Sequence, residues 1–354
     1  MIVVSYGKYI LENTYEILAA SDICSYLKSG MKVAIKPNLV VPGPASSGAT
    51  THPEIVEGII RFIRDFGIDK IKIIESSWVG ERTKRAFRDC GFDELAKVYD
   101  VPLIDLKSDK ATTKSYGGIE IDICNEALDT DFLINVPVLK AHSQTRLTCC
   151  MKNLKGCIPD SEKRRFHALG LHKPIAALNM LLKTGYCVID GICGDLSHEE
   201  GGNPVESNRI IAGRNPLTLD SYCAELIGYK PNEIGYISYG KTLGVGEYYS
   251  QNTKLLEIGE KEKPIRIPEY GRFADRYSNF IDEDSACSAC YASLVFALHK
   301  LGRSNYKEKI HIGQGYKGKG GNGIGIGNCA HGYKISIPGC PPKATDIVEV
   351  LKRD

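Results

Sequence analysis

Apolar residues along the chain come in two rhythms. "MKVAIKPN" (31–38) and "IDKIKIIESS" (68–77) read as buried strands, and "PEIVEGIIRFIRDFG" (53–67) between them repeats its apolar positions every three to four residues, as a helix closed by glycine does. Together they form a β-α-β unit. The alternation continues through a helix near "ERTKRAFRDCG", the strand "VPLIDL", the strand "DFLINVPVLK" (131–140), a helix over 174–183 and the strand "YCVIDG" (186–191). This order predicts an α/β fold: a mainly parallel sheet with helices on both faces and ligands at the carboxyl ends of its strands.

Polar residues fall at those strand ends. Lys36 and Asn38 close one strand, Glu75 and Ser76 the next, Lys140 and His142 a third, and Asp190 a fourth. Four strand ends agreeing point to a shared site. His52 and Pro53 open a helix whose first amides suit an anion. The segment 142–167 is too polar for a core and carries His142, Arg146, Lys152, Lys155, Lys163, Arg164, Arg165 and His167. Lys152, Asn153 and Lys155, followed by Gly156, form a cationic group suited to a carboxylate, a phosphate or a developing oxyanion. The plain alternative is a basic loop facing water.

Composition narrows the classes. The 354 residues are 43% hydrophobic and 25% charged, with 45 basic against 43 acidic side chains, so net charge calls for neither nucleic acid nor an anionic membrane. Polar residues come too early for a signal peptide, and no apolar run is long enough to span a bilayer, which predicts a cytoplasmic protein. Thirteen cysteines, an odd number, argue against a disulfide framework in that compartment. Cys24, Cys90, Cys124, Cys187, Cys193 and Cys223 read as packed residues; Cys149, Cys150 and Cys157 offer a second set of metal ligands, but adjacent thiols converge poorly on one ion, so Cys150 or Cys157 reads rather as a packing or redox thiol.

Four thiols stand apart from these. Cys287 and Cys290 form a C-x2-C pair at the start of a helix, Cys329 follows the glycine run 313–327, and Cys340 lies in "PGCPP". Four cysteines accept zinc or a [4Fe–4S] cluster. The split second pair and the proline after Cys340 favour the cluster, and the glycines let backbone N–H groups approach inorganic sulfide. The run lacks the Gly-Lys-Ser/Thr of a phosphate loop. His331, beside Cys329, is a candidate for tuning the centre. The expected organisation is an α/β domain over 1–260 and a smaller metal-binding domain over 270–354, ending in the helix "KATDIVEVLK".

From "VAIKPNLV" through "ATTHPEIVEGIIRF", "DFLINVPVLKAHSQTRLTCCMKNLKG" and "VIDGICGD" to "NPLTLDSYCAELIG", the chain resembles domain-of-unknown-function family 362 over roughly residues 30–230. The motifs carried over are Lys36-Pro37-Asn38, His52, Lys140 with His142, Lys152 through Gly156, Asp190-Gly191 and Asp220. The resemblance implies an association with iron–sulfur ligands, although the ferredoxin-type insert of many relatives is missing. "PGCPP" is similar to a cluster-ligating motif of hydrogenase small subunits, and "DFLINVPVLKAH…KNLKG" is similar in outline to lactate racemase-type proteins.

The favoured reading is an iron–sulfur redox enzyme. Lys36, His142, Lys152, Lys155 and His167 act on a small anionic substrate bound with Asn38, His52, Asn153 and Asp190, and a ferredoxin-type protein is a possible electron donor. The alternatives are an enzyme moving a proton or hydride on a hydroxy acid beside a structural metal, and an electron carrier without catalysis.

Overall fold

The computed structural model describes residues 1–267, 276–302 and 309–352. The first part contains twelve strands: β1 (Ile2–Tyr6), β2 (Val33–Pro37), β3 (Ile71–Glu75), β4 (Leu103–Asp105), β5 (Ala111–Tyr116), β6 (Ile119–Cys124), β7 (Phe132–Val136), β8 (Lys140–His142), β9 (Arg146–Thr148), β10 (Tyr186–Asp195), β11 (Pro204–Gly213) and β12 (Leu255–Ile258). Eight of them build the large sheet in the order β12-β1-β11-β10-β7-β2-β3-β4. Every neighbouring pair is parallel except the two made by β11. The expected α/β sheet is therefore present, with one antiparallel strand inside it.

Strand side chains alternate between two apolar cores, one on each face. Val33 and Ile35 of β2 and Tyr186 and Val188 of β10 join helices 10–20 and 53–65 on one side. Ala34, Cys187 and Ile189 join helices 172–181, 216–226 and 235–243 on the other.

Three local departures from the sequence reading have identifiable causes. The strand expected over 131–140 stops at Val136, because Pro137 has no N–H to donate; Pro137 instead accepts from Asp190 N at 2.8 Å. Lys140–His142 then pairs with Arg146–Thr148 in a short ribbon. The helix near 81–91 is two helices, Thr83–Asp89 and Phe92–Tyr99, parted at Gly91 with φ of 83°.

Residues beyond 276 add a parallel four-stranded sheet, β13 (Ile281–Glu283), β14 (Ile310–Ile312), β15 (Gly320–Ile326) and β16 (Gly332–Ile337). Helices Ser288–Leu301 and Ala344–Leu351 pack on it around an apolar cluster of their own. Much of the glycine run becomes β15, where a Cβ on Gly325 would stand 1.9 Å from Ala330 O. The boundary expected at residue 270 lies outside the described residues. Gln144 ties the two parts together, donating to Ala286 O at 3.0 Å and accepting from Ser288 Oγ at 2.9 Å. No described helix is long and apolar enough to cross a membrane.

Helix Pro53–Asp65 shows how tightly the sheet's cover is fitted. A Cβ on Gly58 would lie 2.7 Å from Thr14 Cβ and 2.9 Å from Leu11 O of the neighbouring helix. Gly→Ala within an exposed helix gains about 1 kcal/mol. Here overpacking, at about 1–3 kcal/mol, should reverse the sign. We expect Gly58→Ala to lower the urea midpoint of unfolding, whereas an unchanged or raised midpoint contradicts the close approach.

Candidate functional site

The carboxyl ends of β2 and β3, the segment 148–167 and the C-terminal part enclose a cavity of about 100 Å³. Of the residues singled out in the sequence, it brings together Lys36, Asn38, Lys152, Asn153, Lys155, His167, Cys287, Cys290 and Cys340. His142, His52, Asp190 and Cys329 are not part of its lining.

Its floor is a buried ion pair. Lys36 Nζ lies 3.0 Å from both oxygens of Glu75 and donates to Asn153 Oδ1 at 3.2 Å. Glu75 also accepts from the backbone of Leu39 at 2.9 Å and of Ser76 at 2.7 Å. Asn153 continues the network to Asn135 Oδ1 at 2.8 Å, and Asn135 donates to Cys150 O at 2.8 Å. The chain passes over the pair at Gly156, where a Cβ would meet Glu75 Oε1 at 2.2 Å and Lys36 Nζ at 2.6 Å. Only glycine leaves room there.

A second buried carboxylate, Glu199, organises the neighbouring cations. Lys152 Nζ lies 2.6 Å from its Oε1, and His142 Nε2 lies 2.9 Å from its Oε2. His142 Nδ1 accepts the N–H groups of Gln144 and Thr145 at 3.0 and 3.1 Å, which puts the proton of the neutral ring on Nε2. Lys140 Nζ donates to Ala49 O at 2.6 Å and Glu199 O at 2.9 Å. Burial, although opposed by Glu199, brings His142 down to about 4 and Lys140 to about 8. Burial opposes ionisation of Glu199 as well, yet His142 and Lys152 hold its carboxyl well below the usual range. Sequence reasoning missed Glu199. Its signal was position, in the loop after β10 at the carboxyl end of the sheet.

Lys155 stands in contrast. Among the described residues its ammonium has no hydrogen-bond or ion-pair partner, and burial followed by the charge of Lys152 pushes it down to about 7. His167 is 9% exposed, and its Nδ1 has no partner among the described residues. Burial, then Lys155 and His142, keep that imidazole well below its ordinary value. Lys163 is committed to Ser76 O, Ser77 O and Asp160.

His52 and Asp190 form a separate lock. Asp190 Oδ2 accepts His52 N at 2.8 Å and lies 2.8 Å from His52 Nδ1, so the anion at the start of helix Pro53–Asp65 is the protein's own carboxylate.

The C-terminal thiols are all free. Burial, then Cys287, Cys340 and Cys329, push Cys290 up to about 12. Cys287 is raised by burial, then by Cys340 and Cys329, with Arg164 and Lys155 opposing. The loops bearing Cys329 and Cys340 are clamped by Asn328, whose N donates to Gly339 O at 3.0 Å and whose Oδ1 accepts Gly339 N at 2.8 Å. His331 is exposed, its Nδ1 lying 3.0 Å from Asn328 O. Cys287 and Cys290 at the start of helix Ser288–Leu301, with Cys329 and Cys340 on loops beside glycines, offer four free thiols, a donor set of the kind that a thiolate-bound metal centre uses. Elsewhere, Cys149, Cys150 and Asp220 gather ligand atoms within 4.8 Å of one another in the core. Asp220 already accepts the N–H groups of Cys150 and Met151 at 2.7 and 3.1 Å.

Two outcomes follow for the buried charges. Gly156→Ala should disrupt the Lys36–Glu75 pair and cost about 3–5 kcal/mol in denaturant unfolding, the scale of a broken buried pair. For His52, burial lowers the pKa but Asp190 and Cys193 raise it further, to about 10 against an ordinary 6.5. A pKa raised by folding means that the pair's stabilisation is complete below pH 6.5 and is lost as pH climbs through about 10. His52→Gln should therefore be destabilised at neutral pH, and the deficit should shrink as pH rises from 6.5 and be gone above about pH 10. A deficit independent of pH contradicts the ion pair.

Comparison with known proteins gives relatives at a distance. The chain is 26% identical over 231 residues to the thylakoid-associated protein sll1697 of Synechocystis sp., an overlap of 62% of this chain and 70% of that one. It is similar to the lactate racemase apoprotein from Thermoanaerobacterium thermosaccharolyticum at 14% identity and a TM-score of 0.43, over 64% of this chain and 57% of that one. A Thermotoga maritima protein solved by structural genomics reaches a TM-score of 0.36 at 14% identity, over 52% of this chain and 51% of that one. The chain thus spans less than two thirds of either solved structure. Residues 33–225, more than half of the sequence, match a domain of unknown function, DUF362, and the chain belongs to that family.

Proposed function

We propose that this protein is an iron–sulfur redox enzyme for a small carboxylate- or phosphate-bearing substrate. The observation that carries the reading is one cavity lined both by Cys287, Cys290 and Cys340 and by the unpaired Lys155 with the buried His167. Cys287, Cys290, Cys329 and Cys340 would hold a [4Fe–4S] cluster, which when bound supplies or accepts single electrons. The split second cysteine pair and the proline after Cys340 favour the cluster over zinc.

The chain's own groups bind the substrate and handle protons. Lys155 and Arg164 meet the anion, because the other ammonium groups are already engaged by Glu75, Glu199 and Asp160. His167 is neutral and offers Nδ1 to a substrate proton. His142 is a positioning residue: it fixes Glu199, which fixes Lys152. Reducing equivalents would come from a ferredoxin-type donor.

A second reading has its own support. An amine near neutrality is a competent base, and Lys155 at about 7 fits proton removal from a hydroxy acid beside a structural metal centre.

Anaerobic purification followed by iron and sulfide analysis and electron paramagnetic resonance of the reduced protein tests the first reading. The expected result is about four irons per chain, lost in Cys290→Ala and kept in Lys155→Met. Substrate should reoxidise the reduced wild type but not Lys155→Met. Stoichiometric zinc overturns the redox reading. Iron with deuterium exchange into a hydroxy acid, and no reoxidation, selects the second.

A further inference from the structure

The cavity holds one feature that an anion site does not require. Trp78, the single tryptophan of the chain, lines it together with Val79 and Val40. These residues sit just beyond the carboxyl ends of β3 and β2, and the backbone of Trp78 donates to Val40 O at 3.1 Å, so the two loops present their side chains together. Ala289 and Pro341 extend the apolar lining toward the thiols. An isolated anion such as acetate or phosphate has nothing to place against an indole and two valines.

Charge narrows the ligand further. Lys155 has no carboxylate partner among the described residues, and Arg164 is the other cation in the lining not engaged by a neighbouring acid. The His167 ring, also in the lining, adds a polar side chain whose Nδ1 has no partner among the described residues.

From these observations we infer that the substrate is a planar unsaturated or aromatic carboxylate, its carboxylate on Lys155 and Arg164 and its flat body against Trp78. The inference rests on the anionic-substrate reading above and names the class within it. Aromatic stacking and burial act on the body, and the cations fix the head, so the two ends contribute separately.

The single tryptophan makes the test direct. Indole emission of the anaerobically purified protein is titrated with benzoate and cinnamate, and with acetate, lactate and inorganic phosphate as probes lacking a flat body. Calorimetry provides the same constants for variants that lack the fluorophore. Benzoate or cinnamate should perturb the emission and bind at least about tenfold more tightly than acetate or lactate. Lys155→Met should weaken every carboxylate. Trp78→Leu should weaken only the flat ones, bringing them to the level of acetate, and Trp78→Phe should restore most of the difference. Iron content and unfolding midpoint exclude a folding defect. Equal affinity for acetate and benzoate, tighter binding of phosphate, or flat-acid binding indifferent to Trp78→Leu overturns the inference. Binding is read without turnover, so a redox-inactive protein that prefers flat carboxylates removes the redox reading alone.

Discussion

The ion pair between Lys36 and Glu75 is the constraint on which the site depends. Two charges, 1% and 3% exposed, close adjacent parallel strands, and the pair survives burial because its other hydrogen-bonding capacity is filled by Leu39, Ser76, Pro37 and Asn153. Asn153 is the decisive partner. It belongs to the segment that carries Lys152 and Lys155, so satisfying Lys36 also seats that segment over the strand ends. Gly156 lets the backbone pass, and Lys155 arrives at the cavity by geometry set two residues earlier, at Asn153.

Charge is then distributed unequally. Lys36 has Glu75, Lys152 and His142 share Glu199, Lys163 has Asp160 and serine oxygens, and Lys140 is enclosed by carbonyls. Buried cations are paired as a rule because desolvation is otherwise too costly. Lys155, half-buried in the cavity lining, has no such partner among the described residues, which makes it the group a ligand would pair. Its depressed pKa expresses the same cost as a readiness to lose its proton.

What was legible in the sequence followed from periodicity and residue type. Strand and helix rhythm located β2, β3, β7 and β10 and the helix at 53–65, strand-end polarity picked out Lys36 and Asn38, and the basic segment 142–167 picked out Lys152 and Lys155. Tertiary partners were not legible. His52 and Asp190 share the strand-end signature yet satisfy each other, a fact of spatial pairing that no local pattern contains. Glu199 lies in "SHEEGGN", which reads as an exposed turn. Only the folded chain shows that the turn is drawn inward by Asp195, which accepts from Ser197, His198 and Asn203, so that Glu199 meets the cations. The antiparallel strand β11 escaped for a related reason: alternation of strands and helices announces parallel neighbours, and a strand that follows its partner across a short loop breaks the rhythm without marking it.

The thiols and the cationic lining also constrain each other. Cys287 is raised by burial and by its fellow thiols, while Arg164 and Lys155 pull it the other way. By linkage, whatever stabilises negative charge on the sulfurs draws on the cations that would hold a bound anion, and a bound anion in turn weakens their hold on the thiolates. The thiols and any anion bound at Lys155 and Arg164 would therefore draw on the same positive charge across one cavity.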